Sequence, residues 1–102
     1  MVLVSVLYPN TPGSRFDHGY YVGTHIPLVR ARWESMGLED VRLLRGVGAP
    51  GGEATYQVIA LLTFRSQEAL QGALDKHGAE VVGDVANFTD VQPVIQVNEP
   101  YG

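Results

Sequence analysis

The residues of this sequence best suited to proton chemistry are histidines and tyrosines near its start. His18, Tyr21 and His25 are spaced by three and four positions, so on one helix they lie within about one sixth of a turn of each other. Tyr21 and His25 can touch at this spacing. An imidazole that packs against apolar walls and touches a phenol suits proton abstraction beside a carbonyl, because imidazole titrates near neutral pH. His25 is therefore a candidate acid or base, and the alternative interpretation is a core histidine with no catalytic role.

The sequence lacks the patterns of the common metal and nucleotide sites. It has no cysteine, which excludes a thiolate metal site and a cysteine nucleophile. A metal site would also need a third ligand and a better spacing than the seven residues between His18 and His25. The stretch Gly46–Gly51 matches GxGxxG, but it joins two predicted strands, whereas a dinucleotide site needs a strand followed by a helix. We therefore predict no metal and no cofactor, with haem ligation by a free imidazole left open.

Composition and charge favour a small apolar molecule as the ligand. The formal net charge is −4, with seven basic residues against eleven acidic ones, which argues against a nucleic-acid partner. The segment Tyr56–Phe64 is aliphatic where an RNA-binding sheet carries stacking rings. No apolar run approaches the ~20 residues needed to cross a bilayer, and no signal-peptide pattern is present. We expect a soluble, cytoplasmic protein with no membrane partner.

The candidate residues fall on a helix that follows a first strand. Met1–Tyr8 is rich in β-branched and aromatic residues and predicts the strand. Ser14 and Asp17 have the spacing of a capping box and predict a helix that starts at Ser14. Pro27 predicts a kink or a division of this helix beside the candidate histidine, and Gly37 predicts its end. The expected apolar face of the helix consists of Val22, Ile26, Val29, Trp33 and Met36.

The rest of the chain predicts three further strands and a second helix. Ser66 predicts the cap of a helix that ends at Gly78, and Ala79–Phe88 predicts a second short helical segment. Pro93 is expected at an edge or a bulge of the last strand. The predicted strands are Val41–Val47, Tyr56–Phe64 and Val91–Val97.

The order strand, helix, strand, strand, helix, strand predicts a ferredoxin-like α+β fold, βαββαβ, as a single domain over residues 1–102. Its four-stranded antiparallel sheet would carry both helices on one face. The strands Met1–Tyr8 and Tyr56–Phe64 are nevertheless apolar on both faces. Since monomers rarely expose so large an apolar surface, we predict a homodimer that pairs through the free sheet face.

Three segments of the sequence resemble the EthD family. They are VSVLYPN at the start, RFDHGYYVGTHIPLV on the first predicted helix and NFTDVQPVIQVNE near the end. The similarity covers nearly the whole chain, and HIPLV and NFTDVQP are its most specific parts. The resemblance implies a dimeric α+β barrel, in agreement with the fold predicted from periodicity. It also implies an association with degradation of ethyl tert-butyl ether alongside an oxygenase system, without a settled reaction.

The resemblance raises Tyr20, Tyr21 and His25 as residues of a pocket between the sheet and the helices. We predict His25 and Tyr21 as the catalytic residues. The predicted substrate-binding residues are His18, Tyr20, Trp33 and Phe88.

Other polar residues have structural interpretations. Arg32 is expected to be a solvated side chain, with stabilisation of an oxyanion as the alternative if it turns inward. His77 is expected at a helix C-terminus, where the helix dipole accounts for it. Asp84 and Asn87 are interpreted as residues that cap or turn the chain before the last strand.

Two functions fit these observations. The first is a cofactor-free enzyme of isomerase, lyase, cyclase or oxygenase type that acts on a hydrophobic small molecule. The alternative is a non-catalytic ligand-binding or accessory protein of an oxygenase-linked degradation pathway. Both need an apolar pocket with one or two polar groups, so the sequence leaves them open.

Overall fold

The structure, a computed structural model, describes residues 1–102 as a four-stranded antiparallel sheet with helices against one face. The first and third strands of the chain lie side by side in the centre of the sheet, with the fourth strand beside the first and the second beside the third, which confirms the predicted ferredoxin-like arrangement. No helix is both long and apolar enough to span a membrane. The strands are β1 (Val2–Pro9), β2 (Leu38–Arg45), β3 (Tyr56–Phe64) and β4 (Val94–Asn98), and the α-helices are α1 (His18–Tyr20), α2 (Ile26–Trp33) and α3 (Gln67–Gly83).

The core lies between the sheet and the helices. Alternate residues of β1 and β3 point to the helices and are buried, because side chains of a strand alternate between its two faces. Trp33 of α2 packs edge-on against Phe64 of β3, with ring centroids 5.8 Å apart. The buried residues of the two central strands are Val2, Val4, Tyr8, Val58, Ala60, Leu62 and Phe64.

The first helix begins at His18, so the predicted start at Ser14 was wrong. Asp17 is the N-cap, and its Oδ1 accepts a hydrogen bond from the Tyr20 N–H at 3.0 Å. Ser14 lies outside the helix because the residues after it are held in extended pairing with the segment before β4. Phe16 forms a β-bridge with Thr89, and the Asp17 N–H donates to the carbonyl of Phe88 at 2.7 Å.

A π-helical turn, Tyr21–His25, separates α1 from α2. The Ile26 N–H donates to the carbonyl of Tyr21, five residues back rather than four. This wide turn lies directly before Pro27, whose ring would clash with the carbonyl four residues back in a regular α-helix. The division of the helix beside His25 is therefore as predicted. The extra residue rotates Val22 off the apolar face, so Val22 is 59% exposed and its predicted burial was wrong.

The helix α3 continues through Gly78, which was wrongly predicted to end it. Ser66 caps its start as predicted, with Oγ accepting from the Ala69 N–H at 3.1 Å. One glycine in a helix interior costs only about 1 kcal/mol, and burial of Val81 on the far side of Gly78 offsets it. His77 therefore lies inside α3 and not at its end. A 3₁₀ turn, Asp84–Asn87, follows α3 directly.

The outer strands differ slightly from prediction. β2 begins at Leu38, immediately after Gly37, whose φ of 107° ends the helical segment. β4 begins only at Val94, because Pro93 lacks the N–H that a ladder needs. The sheet face opposite the helices has no cover within the chain. Its apolar side chains, by the register of the strands, include Leu3, Leu7, Leu44, Ile59 and Leu61.

Candidate functional site

His25 is buried and forms a close pair with Asp84. Its Nδ1 lies 2.9 Å from Oδ2 of Asp84, and the side chains are 5% and 13% exposed. His25 ends the π-helical turn, and Asp84 follows the last residue of α3. The uninterrupted course of α3 is what carries the carboxylate to the imidazole.

Two further side chains hold the Asp84 carboxylate. The Tyr20 hydroxyl donates to Oδ1 at 2.7 Å, and Nδ2 of Asn87 donates to the same oxygen at 3.0 Å. Burial raises the pKa of Asp84, but the hydrogen bonds from Asn87, Tyr20 and His25 outweigh this effect and hold the pKa below its usual value. The hydrogen bond to Asp84 in turn raises the pKa of Tyr20. Asp84 is therefore ionised and fixed in orientation at neutral pH.

The ionised carboxylate decides which nitrogen of His25 carries the proton. A carboxylate only accepts hydrogen bonds, so Nδ1 must be the donor, and in the neutral imidazole Nε2 then keeps its lone pair. The ring packs against Tyr21, at a centroid distance of 5.8 Å and 16° from parallel, and against Phe88, at 4.6 Å; these two rings also contact each other, at 5.1 Å. In its neutral form the imidazole is thus held in a single tautomer, with the lone pair on Nε2.

A cavity of about 360 Å³ lies between the sheet and the helices. Most of its lining is hydrophobic, 18 of 23 residues, which suits an apolar ligand. His25 lines this cavity, whereas Asp84 does not. Since Nδ1 is paired with Asp84, Nε2 is the ring nitrogen left for a hydrogen bond to a ligand.

Two phenols lie at the same end of the cavity as His25. Tyr8 and Tyr21 both line it, both are 2% exposed, and their ring centroids are 5.8 Å apart. Burial raises the pKa of Tyr21, and burial together with the neighbouring Tyr21 raises that of Tyr8. Both side chains are therefore neutral O–H groups at physiological pH. This arrangement suits hydrogen bonding to a ligand and not proton abstraction by a phenolate.

The structure brings only part of the predicted site to the cavity. His25, Tyr21 and Trp33 line it, but His18, Tyr20 and Phe88 do not. His18 packs at a tilt against Phe16, with ring centroids 4.7 Å apart. The Tyr20 hydroxyl is bound to Asp84 instead, and Phe88 packs against the rings of both His25 and Tyr21.

The Arg32 guanidinium points away from the cavity. It forms two hydrogen bonds to Glu80 on the surface, from Nε at 2.8 Å and from Nη2 at 3.1 Å. Hydrogen bonding and charge raise the pKa of Arg32, and Arg32 correspondingly lowers that of Glu80. This agrees with the interpretation of Arg32 as a solvated side chain.

Sequence reasoning missed Asp84 and Asn87, which were interpreted as turn residues. One signal was present: Asp84 lies three residues after Val81 and one before Val85, so a carboxylate interrupts the apolar stripe of a helix. Its partner could not be read from the sequence, because His25 is 59 positions away. No three His, Asp or Glu side chains are grouped closely enough to hold a metal ion.

Comparison with known proteins identifies the family. The family model described as EthD domain matches residues 14–92. The chain belongs to the EthD family. An EthD-like protein from Ralstonia eutropha JMP134 is 37% identical to this EthD family member, over 96% of this chain and 89% of that one, with a TM-score of 0.88. Among curated proteins, none matches the chain.

More distant structures share the fold of this EthD family member. A DABB family protein with a ferredoxin-like fold from Mesorhizobium loti MAFF303099 is 15% identical over 99% of this chain and 97% of that one, with a TM-score of 0.64. SnoaB, a cofactor-independent oxygenase from Streptomyces nogalater, is 11% identical over 99% and 92%, with a TM-score of 0.65. At these identities the likeness concerns the fold and not the reaction.

Proposed function

We propose that this EthD family member is a cofactor-free enzyme that removes a proton from a hydrophobic small molecule, with His25 as the base. The observation that carries the proposal is the pairing of Nδ1 with Asp84 at 2.9 Å in a histidine that lines a largely apolar cavity. A general base must lie where the substrate binds and must keep a free lone pair. The position of His25 in the cavity lining and the pairing of its Nδ1 with a carboxylate support this assignment.

The chemistry is a proton transfer that needs no bound group. Nε2 takes a proton from a carbon next to a carbonyl, and the electron pair of the broken C–H bond moves to the carbonyl oxygen to form an enolate. The Asp84 carboxylate stabilises the imidazolium that forms, because it is ionised and hydrogen-bonded to the other nitrogen. Return of the proton to carbon regenerates the base. Some enzymes of each class considered above, isomerases, lyases, cyclases and cofactor-free oxygenases, begin with such a step.

The size and lining of the cavity limit the substrate. A dry cavity of about 150 Å³ holds benzene, so the 360 Å³ here is large enough for a molecule of two rings. The predominance of hydrophobic lining residues favours a substrate with few polar groups. The fold of SnoaB is compatible with cofactor-free chemistry but does not assign it.

We also propose that two copies of the chain pair through the sheet face opposite the helices. Leu7, Ile59 and Leu61 lie on that face, and nothing in the chain covers them. An apolar sheet face of this kind is stabilised when a second copy removes it from water. A small cytoplasmic homodimer is the form of the protein that this proposal expects.

Hydrogen exchange of a bicyclic ketone tests the enzyme proposal. 2-Tetralone has acidic C–H groups beside its carbonyl, and NMR in D₂O measures their exchange against the buffer rate. We expect the protein to accelerate this exchange and His25→Gln to lower the acceleration by about 10²–10⁴-fold, the usual contribution of a general base. His77→Gln, on the surface of α3, is the matched control and should leave the rate unchanged.

Binding of the same ketone separates the two functions. If wild-type protein and His25→Gln both bind 2-tetralone, as followed by calorimetry, while neither accelerates exchange, the protein is a carrier and the catalytic assignment fails.

A further inference from the structure

The Tyr21 hydroxyl is the one fully buried side-chain polar atom in the chain without a hydrogen-bond partner. Tyr21 is 2% exposed and lines the cavity beside His25. An unpaired buried hydroxyl is costly, and folded proteins rarely retain one without a reason. Its position in the cavity wall indicates that the missing partner is a ligand.

Two other buried polar side chains of the cavity lining, Trp33 and Thr89, are satisfied within the chain. Nε1 of Trp33 donates to the Ala73 carbonyl at 2.9 Å. The Thr89 hydroxyl donates to the Arg15 carbonyl at 2.6 Å and accepts from the Val91 N–H at 3.2 Å. Neither group needs a ligand.

The cavity has a polar end and an apolar end. The floor of the cavity is formed along β1 by Val4, Val6 and Tyr8. At ~3.3 Å per residue, Val4 and Tyr8 are about 13 Å apart along the strand. Tyr21 packs against Tyr8 and His25 at the end of β1. At the opposite end the lining consists of Trp33, Leu62, Phe64 and Leu70. A ligand that fills the cavity therefore meets unsatisfied polar groups only at one end.

We propose that the substrate is a largely apolar molecule with a carbonyl oxygen at one end, and that the Tyr21 hydroxyl selects it by donating a hydrogen bond to that oxygen. This inference rests on the proposed function, because it places the carbonyl beside the His25 base. Burial keeps the phenol protonated, since it raises the pKa of Tyr21. An acceptor oxygen supplies the partner that the folded chain lacks, and the same bond strengthens as negative charge develops on that oxygen.

A matched pair of probes measures the contribution of the carbonyl oxygen to binding. 2-Tetralone and tetralin have the same two-ring skeleton, and only the ketone carries an acceptor. We expect the wild type to bind 2-tetralone about tenfold more tightly than tetralin, and Tyr21→Phe to remove this preference. Tyr56→Phe is the control, because Tyr56 lies at the start of β3 outside the cavity lining. It should retain the preference.

Thermal unfolding without ligand provides a second readout. Removal of an unpaired hydroxyl should leave the melting temperature of Tyr21→Phe unchanged or raised, whereas loss of a structural hydrogen bond would lower it.

The inference is overturned if the wild type binds neither probe, if it binds both equally, or if Tyr21→Phe keeps the preference for the ketone. Selective binding of the ketone without accelerated exchange would instead reject the proposed catalysis and retain the ligand class.

Discussion

Nδ1 of His25 and Oδ2 of Asp84 lie 2.9 Å apart, although 59 positions separate the two residues in the chain. The pair joins the π-helical turn of the first helix to the end of α3. Because Asp84 also accepts hydrogen bonds from Tyr20 and Asn87, its position is fixed from both sides. The imidazole is therefore oriented by the tertiary fold and not by its neighbours in sequence.

Asp84→Asn tests how the carboxylate acts on His25. An asparagine that turns its amide toward Nδ1 donates a hydrogen bond, which favours the tautomer with the proton on Nε2 and removes the free base. We expect the exchange rate of 2-tetralone to fall by about 10²–10⁴-fold with binding retained. Glu80→Gln, the same carboxylate-to-amide change on the surface of α3, should leave the rate unaffected. An equal loss in both variants would argue for a general effect on α3.

The depressed pKa of Asp84 predicts a specific loss of stability in acid. The pKa of Asp84 in the folded state lies below its unfolded value of 3.8. The ionised carboxylate therefore stabilises the fold fully above pH 3.8, and this stabilisation disappears as the pH falls through the folded-state pKa. Urea unfolding of wild type and Asp84→Asn should therefore give free energies that differ at pH 7 and converge as the pH falls through the folded-state pKa of Asp84. A difference that stays constant with pH would contradict the assignment.

Arg32→Ala tests whether the ion pair between Arg32 and Glu80 on the surface affects the reaction in the cavity. Because Arg32 is bound to Glu80 and does not line the cavity, we expect exchange of 2-tetralone to remain within about twofold of wild type. The effect on melting temperature should also be small and should weaken further in high salt. A large loss of exchange with unchanged binding would restore Arg32 as a stabiliser of the developing oxyanion.

Leu61→Lys tests the proposed pairing of two chains. Leu61 lies at the middle of β3 on the face without cover, so a lysine there places an unpaired charge in the interface, which is strongly unfavourable. Sedimentation should give roughly 22 kDa for the wild type, twice the 11.1 kDa of one chain, and a monomer for the variant. Val47→Lys, in the exposed loop after β2, is the control and should remain a dimer. A wild type that sediments as a monomer at micromolar concentration rules out the pairing.

Much of the fold was predictable because its signals are local. The apolar run Tyr56–Phe64 predicted β3, the cap at Ser66 predicted the start of α3, and Gly37 predicted the end of the first helical segment. The errors arose at positions where contacts with residues distant in sequence determine the backbone conformation. Ser14 is kept out of the helix because Phe16 and Asp17 pair with the segment before β4, and Gly78 stays helical because α3 is buried beyond it.

Only the part of the candidate site that lies on the first helical segment was predictable from the sequence. Helical spacing brought Tyr21 and His25 together, and the stacking of their rings agrees with it. Tyr20 was predicted to face the ligand, but its hydroxyl is committed to Asp84. The spacing of residues within one helix carries no information about which carboxylate another helix delivers. Asp84 therefore could not be assigned to His25 without the fold.

The π-helical turn makes this site sensitive to chain length at a single position. The turn holds one residue more than a regular α-helical turn, and Val22, which lies in it, is exposed. Deletion of the Val22 codon would restore regular helix and swing the preceding turn by about 100° relative to α2. Tyr20 and Tyr21 would then leave Asp84 and the cavity while the sheet stayed intact. One in-frame deletion can thus remove the contacts of Tyr20 and Tyr21 while it leaves the His25–Asp84 pair in place, without any substitution among the residues of the site.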